Sequence, residues 1–569
     1  MSGPGDRAPK EIQTGEPTPL ARAEGNRADP TNLDLERSLT PGSENSARSH
    51  TTPAREPGDL GEASSSMVGG KRLQEGQAPQ SAGQRSEKSD ADVVPKKSAK
   101  TRVTPVESME GRPAAKGKST ARNAHPTLDG KGAPTYLQWI GQRAKEKPEE
   151  RFTNLLSHIQ APLLKQAYFS LKKKAAPGVD AVTWAEYGVR LDERLLDLQD
   201  RIHRGSYHPQ PVRRVHIAKS DGRTRPLGIP ALEDKVVQQA ARMVLEPIYE
   251  AMFIGFSYGY RPGRSQHDAL DALAVAVGRK VNWVLDADIR SFFDTIDHSW
   301  MQRFLEHRIG DKRMVRLLMK WMRAGVMEQG QLHEVTEGTP QGGLISPLLA
   351  NIYLHYVIDL WACQWRKTRA HGEMYVVRYA DDVVMGFQRE QDALGMREAL
   401  AARLAKFGLE LHAEKTRVLE FGRFARQKGQ RRGLNKPETF DFLGFTHIAS
   451  ESRLGRFQLK RQTSRKKRRA KLAELKEECR KRRHHQVPEQ HSWLSAVLNG
   501  HYRYYAVPTN SRALNAFCRA VETMWHRSLQ HRSQKARWTT KKRRAFVHRF
   551  PLPSPRILHP WPAQRFALR

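Results

Sequence analysis

The chain is 569 residues long and carries 97 Lys+Arg against 61 Asp+Glu, a formal net charge of +36. That length allows several domains and large cores, and the charge favours a polyanionic partner, nucleic acid ahead of an anionic membrane surface. No apolar run approaches a membrane span, no apolar signal segment follows Met1, and Cys363, Cys479 and Cys518 form no CxxC pair; this excludes a disulfide framework and a spanning helix and fits a cytoplasmic chain.

Roughly the first 130 residues are rich in Gly, Pro, Ser, Ala and charge, and the first aromatic residue is Tyr136. Such a segment cannot bury enough apolar area to offset its chain entropy, so residues 1–130 are predicted to be a disordered extension. Met67 and Met109 are later candidate starts within it. Order is expected from there on. "YLQWIGQRAKEKPEERFTNLLSHI" places Phe152, Leu155, Leu156 and Ile159 on one predicted helical face, and "KAAPGVDAVTW" predicts a turn at Pro177-Gly178. "VRRVHIAKSDGRTRPLGIP" predicts two strands joined around Asp221-Gly222. A helix follows, with Val236, Val237, Ala240, Ala241, Val244, Leu245 and Ile248 at helical spacing. "VNWVLDADI" predicts a buried strand and "SPLLANIYLHYVIDLW" a buried helix. Past Gly444 the strands are predicted to stop and helices to take over, with Leu514, Phe517, Val521 and Met524 repeating at three- and four-residue steps. From Ala449 onward there are 30 Lys+Arg and 6 acids, a net +24, so this basic module is the expected place for a polyanion.

One stretch, "VVRYADDVVM" (376–385), sets two adjacent aspartates between short β-branched runs, a hairpin with carboxylates at its tip. Alone it is equally an exposed turn using a common turn residue or a metal-binding doublet. A third carboxylate is available: "VLDADIRSFFDTIDH" carries Asp286, Asp288, Asp294 and Asp297 on or just beyond an apolar strand. If this strand neighbours the hairpin, Asp288, Asp381 and Asp382 converge as three hard oxygen ligands. With substrate phosphates completing the shell, that is what Mg²⁺ accepts.

With these residues in place, the chain resembles the group II intron reverse transcriptase/maturase family, the bacterial and organellar intron-encoded proteins. The resemblance runs in order from about Tyr136 over roughly three quarters of the chain. It is carried by "RPLGIP" (225–230), "GYRPGRSQHDAL" (259–270), "DIRSFFDTIDH" (288–298) and "GTPQGGLISPLLANIYLH" (338–355), then by "YADD" (379–382), "GLELHAEKT" (408–416) and "FDFLGF" (440–445). The family implies an α+β right-hand polymerase: fingers and palm with an antiparallel sheet over 131–448, then an all-helical thumb/maturase domain over 449–569.

The resemblance also implies roles. Asp288, Asp381 and Asp382 would hold two Mg²⁺ ions, with Mn²⁺ as a substitute and the Ile289 carbonyl as an extra ligand. Phe293 matches the bulky position that excludes a ribose 2′-OH; the weaker alternative is an ordinary core aromatic beside Phe292. Lys219 and Arg225 match a pair that clamps the dNTP triphosphate, or a solvated hairpin edge. Gln341, Gly342 and Gly343 match the loop beside nucleotide and template, and Lys415 a residue that protonates pyrophosphate. Tyr260, Arg261, Arg264 and Ser265 would contact template backbone. Tyr502, Arg503 and Tyr504 offer stacking and cationic surface for RNA, with helical packing the alternative for the aromatics, and Lys541, Lys542, Arg543 and Arg544 would contact phosphates.

The implied partners are intron RNA, an RNA template, a DNA primer, target DNA and dNTPs, with no membrane. Relatives with a terminal zinc-bearing endonuclease carry two cysteine pairs that are not found here, so an endonuclease-lacking member is expected; Cys479 with His484, His485 and His491 is expected to be a solvated, His-rich stretch and not a zinc site. Tyr260 and Arg290 stand where the family motifs usually have Phe and Lys, conservative departures, and the long N-terminal extension is atypical. Two alternatives stay open: a domesticated relative in phage defence or DNA repair, and a splicing-only RNA-binding maturase.

Overall fold

The alternation in Val284-Leu285-Asp286-Ala287-Asp288 organises the centre of the protein. Side chains on a strand alternate between faces. Leu285, Ala287 and Ile289 enter the main core, while Val284 enters a second core on the opposite face. Asp286 and Asp288 follow Val284, so one face of this strand is apolar at depth and acidic at its end.

The computed structural model describes residues 135–218, 224–328, 331–333, 337–339, 342–433, 437–452, 454–533 and 539–565. The predicted extension (1–130), the Asp221-Gly222 turn, Lys219 and Gln341 lie outside the described residues. The architecture is mixed α+β. Helices α1 (Thr135–Glu146), α2 (Ala161–Ser170) and α3 (Leu191–Arg204) precede strands β1 (Val212–Ala218) and β2 (Thr224–Ile229). Next come α4 (Leu232–Glu250), α5 (Gln266–Val277), β3 (Trp283–Asp288), α6 (His298–Arg308) and α7 (Lys312–Met322). Strands β4 (Val326–Glu328) and β5 (Gln331–His333) lead to α8 (Ser346–Leu354) and α9 (Leu360–Thr368). The hairpin β6 (Met374–Tyr379) and β7 (Asp382–Phe387) follows, then α10 (Glu390–Ala405) and β8 (Arg417–Glu420).

Strands β9 (Thr439–Phe442), β10 (Phe445–Glu451) and β11 (Phe457–Thr463) come before the C-terminal helices. These are α11 (Arg465–Lys481), α12 (Val487–Tyr505), α13 (Ser511–Gln530) and α14 (Thr540–Arg549).

Three sheets result, with strand orders β2-β1-β4-β5, β6-β7-β3-β8 and β11-β10-β9. The middle one is antiparallel throughout and covered on both faces. On one side Val376, Val383 and Met385 join α10 residues Met396, Leu400 and Leu404; on the other Val377 and Val384 meet α5 residues Leu270 and Leu273. A third core, with Leu494, Leu498, Leu514, Phe517, Val521 and Trp525, sits among the C-terminal helices.

The sequence expectations hold for the β1–β2 and β6–β7 hairpins and for the helix after Pro230, and need four corrections. Phe152, Leu155, Leu156 and Ile159 are all buried but not helical as a group. The Phe152 backbone pairs across to Arg308 and Gly310 (2.8 and 2.7 Å), and Leu156 N–H donates to the Asp311 carboxylate (2.9 Å), so tertiary bonds displace the helical ladder. The turns fall at Lys173-Lys174 and Val179-Asp180, on either side of Pro177-Gly178 and not on it. The helix over 346–368 is interrupted by a π-helical segment, His355–Asp359. Strands do not stop at Gly444: β10 crosses the predicted 448/449 boundary and pairs with β11, so the region after 449 is not all helical. Gly444, at φ +78°, is the turn between β9 and β10.

Candidate active site

Asp288 ends β3 and Asp382 begins β7, and the two are direct cross-strand partners, with Asp286 opposite Val384 and Val284 opposite Gly386. Opposed residues point to the same face with Cα atoms about 4.5–5.5 Å apart. Asp288 and Asp382 therefore face one another, Asp286 lies two residues deeper, and Asp381 stands in the turn before β7.

The electrostatics register this crowding. Desolvation first, then the charges of Asp381, Asp288 and Asp286, push the Asp382 carboxyl up to about 7, with Lys415 pulling the other way. Burial pushes Asp286 up to about 6, opposed by Arg417 and aided by Asp288. Asp381 is raised by burial, with Asp288 adding to it and Arg225 offsetting it. One cation already sits here: Lys415 Nζ lies 2.6 Å from Asp288 Oδ2. It is delivered by the "GLELHAEKT" segment, which runs beside the end of β3 through an Ile289–Leu411 bridge and bonds Arg290 N–H to Glu410 O and His412 N–H to Asp288 O, both 2.8 Å.

Glycines draw the neighbouring motifs in. A Cβ on Gly342 would stand 2.3 Å from Gly228 O, so the backbone at Gly342 can lie directly on β2 only without a side chain there. A Cβ on Gly259 would stand 2.3 Å from Ala380 N, which brings the "GYRPG" loop onto the hairpin turn. Exposed Tyr260, at φ +59°, has its phenol raised by burial of part of the ring and by the charges of Asp381 and Asp382, with Arg225 opposing. Arg225 on β2 thus reaches the electrostatic neighbourhood of the carboxylates.

Among the described residues no three His, Cys, Asp or Glu side chains close around a common point as they stand. The donor chemistry nonetheless suits a hard divalent ion: carboxylates repel one another at one sheet end, and an ammonium occupies part of the cation's place. Mg²⁺ keeps several waters and takes few protein ligands, so an open set is compatible with it.

Several residues expected at RNA are also bonded within the fold. Arg261 is buried, with its guanidinium on Glu250 (2.8 Å) and on the Ile254 and Ser257 carbonyls (both 2.8 Å), because this loop's own acceptors need a donor. Arg264 caps Gly255 O and stacks over Tyr258. Ser265 N-caps α5 in a capping box with Asp268. Tyr502 is buried with its hydroxyl on Pro553 O (2.9 Å), and Tyr504 bonds Leu443 O (2.9 Å) and packs on Phe445. Arg503 and Lys541, Lys542, Arg543 and Arg544 are exposed. Ile289 is buried at the strand end, and Asp297 N-caps α6. Phe293 is 7% exposed and packs edge-on against Phe292 at 5.3 Å, a core position. Cys479 is buried, its thiol pushed by burial up to about 11.

Sequence reasoning missed the group that holds the turn. Arg378, fully buried on β6, donates to Asp359 (2.7 and 2.6 Å), Asn351 Oδ1 (3.0 Å), Ser257 Oγ (2.7 Å) and Ala380 O (3.0 Å). A lone cation inside the apolar run before the doublet was the available signal.

Residues 217–447 match the family model described as reverse transcriptase (RNA-dependent DNA polymerase). The chain is similar to protein YkfC of Escherichia coli, 35% identical over 350 residues, covering 55% of this chain and 87% of that protein. It is also similar to the group II intron-encoded protein LtrA of Lactococcus lactis, 38% identical over 224 residues, 38% of this chain and 37% of that one. Nuclear intron maturase 3, mitochondrial, of Arabidopsis thaliana is 28% identical over 211 residues, 35% of this chain and 29% of that protein. The mixed α+β fold thus fits an RNA-directed DNA polymerase, and the matched segment includes the strands that carry Asp288 and Asp382. The chain belongs to the group II intron-encoded reverse transcriptase/maturase family.

Proposed function

We propose that the protein extends a primer 3′-OH with dNTPs on an RNA template at the Asp288–Asp381–Asp382 edge. Its basic C-terminal region, we propose further, holds the RNA of a group II intron for splicing and mobility. The observation that carries the first half is the register that sets Asp288 opposite Asp382 with Asp381 alongside, inside the segment that matches reverse transcriptases. These three aspartates would hold two Mg²⁺ ions, or Mn²⁺ in their place, the Ile289 carbonyl assisting. When bound, the ions lower the pKa of the attacking hydroxyl and neutralise charge on the departing pyrophosphate.

The chain's own residues do the rest. Arg225, with Lys219 proposed as its partner, meets the triphosphate, while Gly342 and its sequence neighbour Gln341 are proposed to serve the nucleotide and template. The Lys415 ammonium, now on Asp288, is the proton donor proposed for the leaving pyrophosphate. Phe293 limits the ribose side of the site, and Tyr260 borders the template. Fingers and palm occupy 131–448 and thumb and maturase 449–569, the β10–β11 hairpin joining the two. Arg503 and Lys541, Lys542, Arg543 and Arg544 supply exposed cations for intron phosphates. The partners are intron RNA, RNA template, DNA primer, target DNA and dNTPs. Three separated cysteines with no CxxC pair support a cytoplasmic setting, and no helix among the described residues is long and apolar enough to cross a membrane.

The test is Asp381→Asn. Primer extension is expected to fall by at least a thousandfold while affinity for a structured intron RNA changes less than twofold, because the charge lost serves the reacting phosphate and not the RNA grip. Extension at the wild-type rate overturns the site.

A further inference from the structure

We propose that Arg378 is the positioning residue of the catalytic turn: its buried guanidinium, clamped by Asp359, Asn351 and Ser257, holds the Ala380 carbonyl and thereby aims Asp381 and Asp382.

Arg378 lies on β6 in a run that is otherwise apolar, and neither it nor Asp359 exposes side-chain surface. A guanidinium has five N–H donors, and the partners at Arg378 number five: both Asp359 oxygens, Asn351 Oδ1, Ser257 Oγ and Ala380 O. Burial alone would raise the Asp359 carboxyl, and the Arg378 charge overcomes this to hold it below the ordinary value. The two groups form a bidentate, fully buried pair.

Four of the five bonds fix the guanidinium, and the fifth acts on the turn. The Arg378 Nη1 that bonds Asn351 also bonds Ala380 O (3.0 Å), one residue before the aspartates. Ala380 is at φ +56°, a left-handed conformation that a non-glycine residue adopts at a cost. A fixed donor on its carbonyl offsets that cost.

The clamp also ties three motifs together. Ser257 precedes the "GYRPG" loop, whose backbone bridges β6 through Tyr258 N–H to Arg378 O (2.8 Å) and Arg378 N–H to Phe256 O (2.9 Å). Asn351, on α8 just after the "PQGG" loop, donates from Nδ2 to Gly259 O (2.7 Å). Asp359 ends the π-helical segment that interrupts the α8–α9 helix. The hydrogen-bond register of that helix is thus broken where the clamp needs its carboxylate.

This proposal rests on the assignment of Asp381 and Asp382 as the catalytic carboxylates. Its test is Arg378→Lys, which keeps the charge beside Asp359 and loses the planar fork, with Ser257→Ala and Asn351→Ala as milder variants that leave the Arg378–Asp359 pair intact. Each is assayed well below its own melting midpoint. The expected result has three parts: primer-extension kcat falls at least tenfold for Arg378→Lys and two- to tenfold for the milder pair; the Mg²⁺ concentration for half-maximal extension rises several-fold; template affinity stays within twofold.

A readout independent of activity is amide exchange in metal-free protein, which is expected to quicken at residues 379–383 and not in the α10 core. Placing Ala380→Gly in the Arg378→Lys background is expected to recover part of kcat, since glycine adopts the turn's φ unaided. Wild-type kcat and Mg²⁺ dependence in all three variants overturn the proposal, as does a deficit that merely follows the unfolded fraction. If Arg378→Lys does not fold, the milder pair decides by the same criteria. Failure of the site itself is separate: active Asp381→Asn refutes the carboxylate assignment, whereas inactive Asp381→Asn with unaffected clamp variants refutes only the clamp.

Discussion

Truncating Phe293 separates two roles that its position allows. The ring is 7% exposed, lies edge-on to Phe292 at 5.3 Å, and its backbone carbonyl accepts from Thr339 N–H at 2.8 Å. Phe293→Ala removes a buried aromatic from the main core, a loss of about 3–5 kcal/mol. With an unfolding entropy of about 2.1 cal/mol/K per residue over roughly 400 ordered residues, that is a fall in Tm of about 4–6 °C. Phe293→Leu, which keeps most of the volume, is expected to cost about a third as much. Neither figure bears on substrate choice.

If Phe293 only packs, both variants lower kcat/KM for dNTPs and rNTPs together and the ratio stays put. If the ring also limits the space under the ribose, Phe293→Ala raises the rNTP/dNTP ratio of kcat/KM by at least tenfold, about 1.4 kcal/mol of differential transition-state binding. Single-nucleotide extension with matched dNTP and rNTP, run 15 °C or so below each melting midpoint, reads the ratio directly. An unchanged ratio in folded Phe293→Ala refutes the ribose role and leaves Phe293 as core packing.

Acid stability gives a second outcome. Burial, then the Arg461 charge directly across the strand pair, pushes His447 down to about 3, and burial, then Lys471, pushes His501 down to about 4. Both stay neutral in the fold while the unfolded chain protonates near 6.5, so their stabilisation is full above that pH and is lost as pH falls from about 6.5 toward 4. The slope is about 1.4 kcal/mol per pH unit for each. His447→Phe, which keeps the stack on Phe440, is expected to flatten denaturant-measured stability between pH 6 and 4 by about one proton; parallel pH profiles would remove His447 from the account. In the C-terminal module, replacing Lys541, Lys542, Arg543 and Arg544 by alanine is expected to lower the log–log salt slope of intron binding. The loss is roughly 0.7–0.9 per phosphate contact. Splicing assistance should weaken with it and low-salt primer extension persist; lost extension with intact splicing would reverse the assignment of the two halves.

The site was legible where chemistry and local pattern coincide. An apolar run that alternates into Asp286 and Asp288, and a β-branched hairpin carrying Asp381 and Asp382, announce carboxylates at strand ends, and the observed register joins them. Strand pairing across the chain is what the alternation predicts but does not locate. What the sequence did not show is of one kind. Arg261, Tyr502 and Tyr504 have the residue types of an RNA surface, yet each satisfies an acceptor of the fold, and burial of that sort depends on partners that no window of sequence contains. Strands β10 and β11 escaped for a related reason: Phe445, His447 and Ala449 alternate inward, but His447 and Arg461 read as polar until Phe440 and Asp271 are set against them.

The turn at Ala380 shows why such partners bear on function. Two aspartates held side by side repel, and a hairpin tip free to relax would splay them. Here the turn residue is held in the left-handed region by a donor whose own position depends on Ser257, 121 residues earlier, and on Asp359 in the π-helical segment. Local sequence supplies the charges; only the assembled fold supplies the restraint that keeps them aimed. A polymerase site of this design is therefore expected to lose activity first through substitutions in buried residues that never meet a nucleotide. Exposed positions that touch neither the carboxylates nor the clamp, such as Glu414, are expected to tolerate change, whereas Lys415 beside it is not.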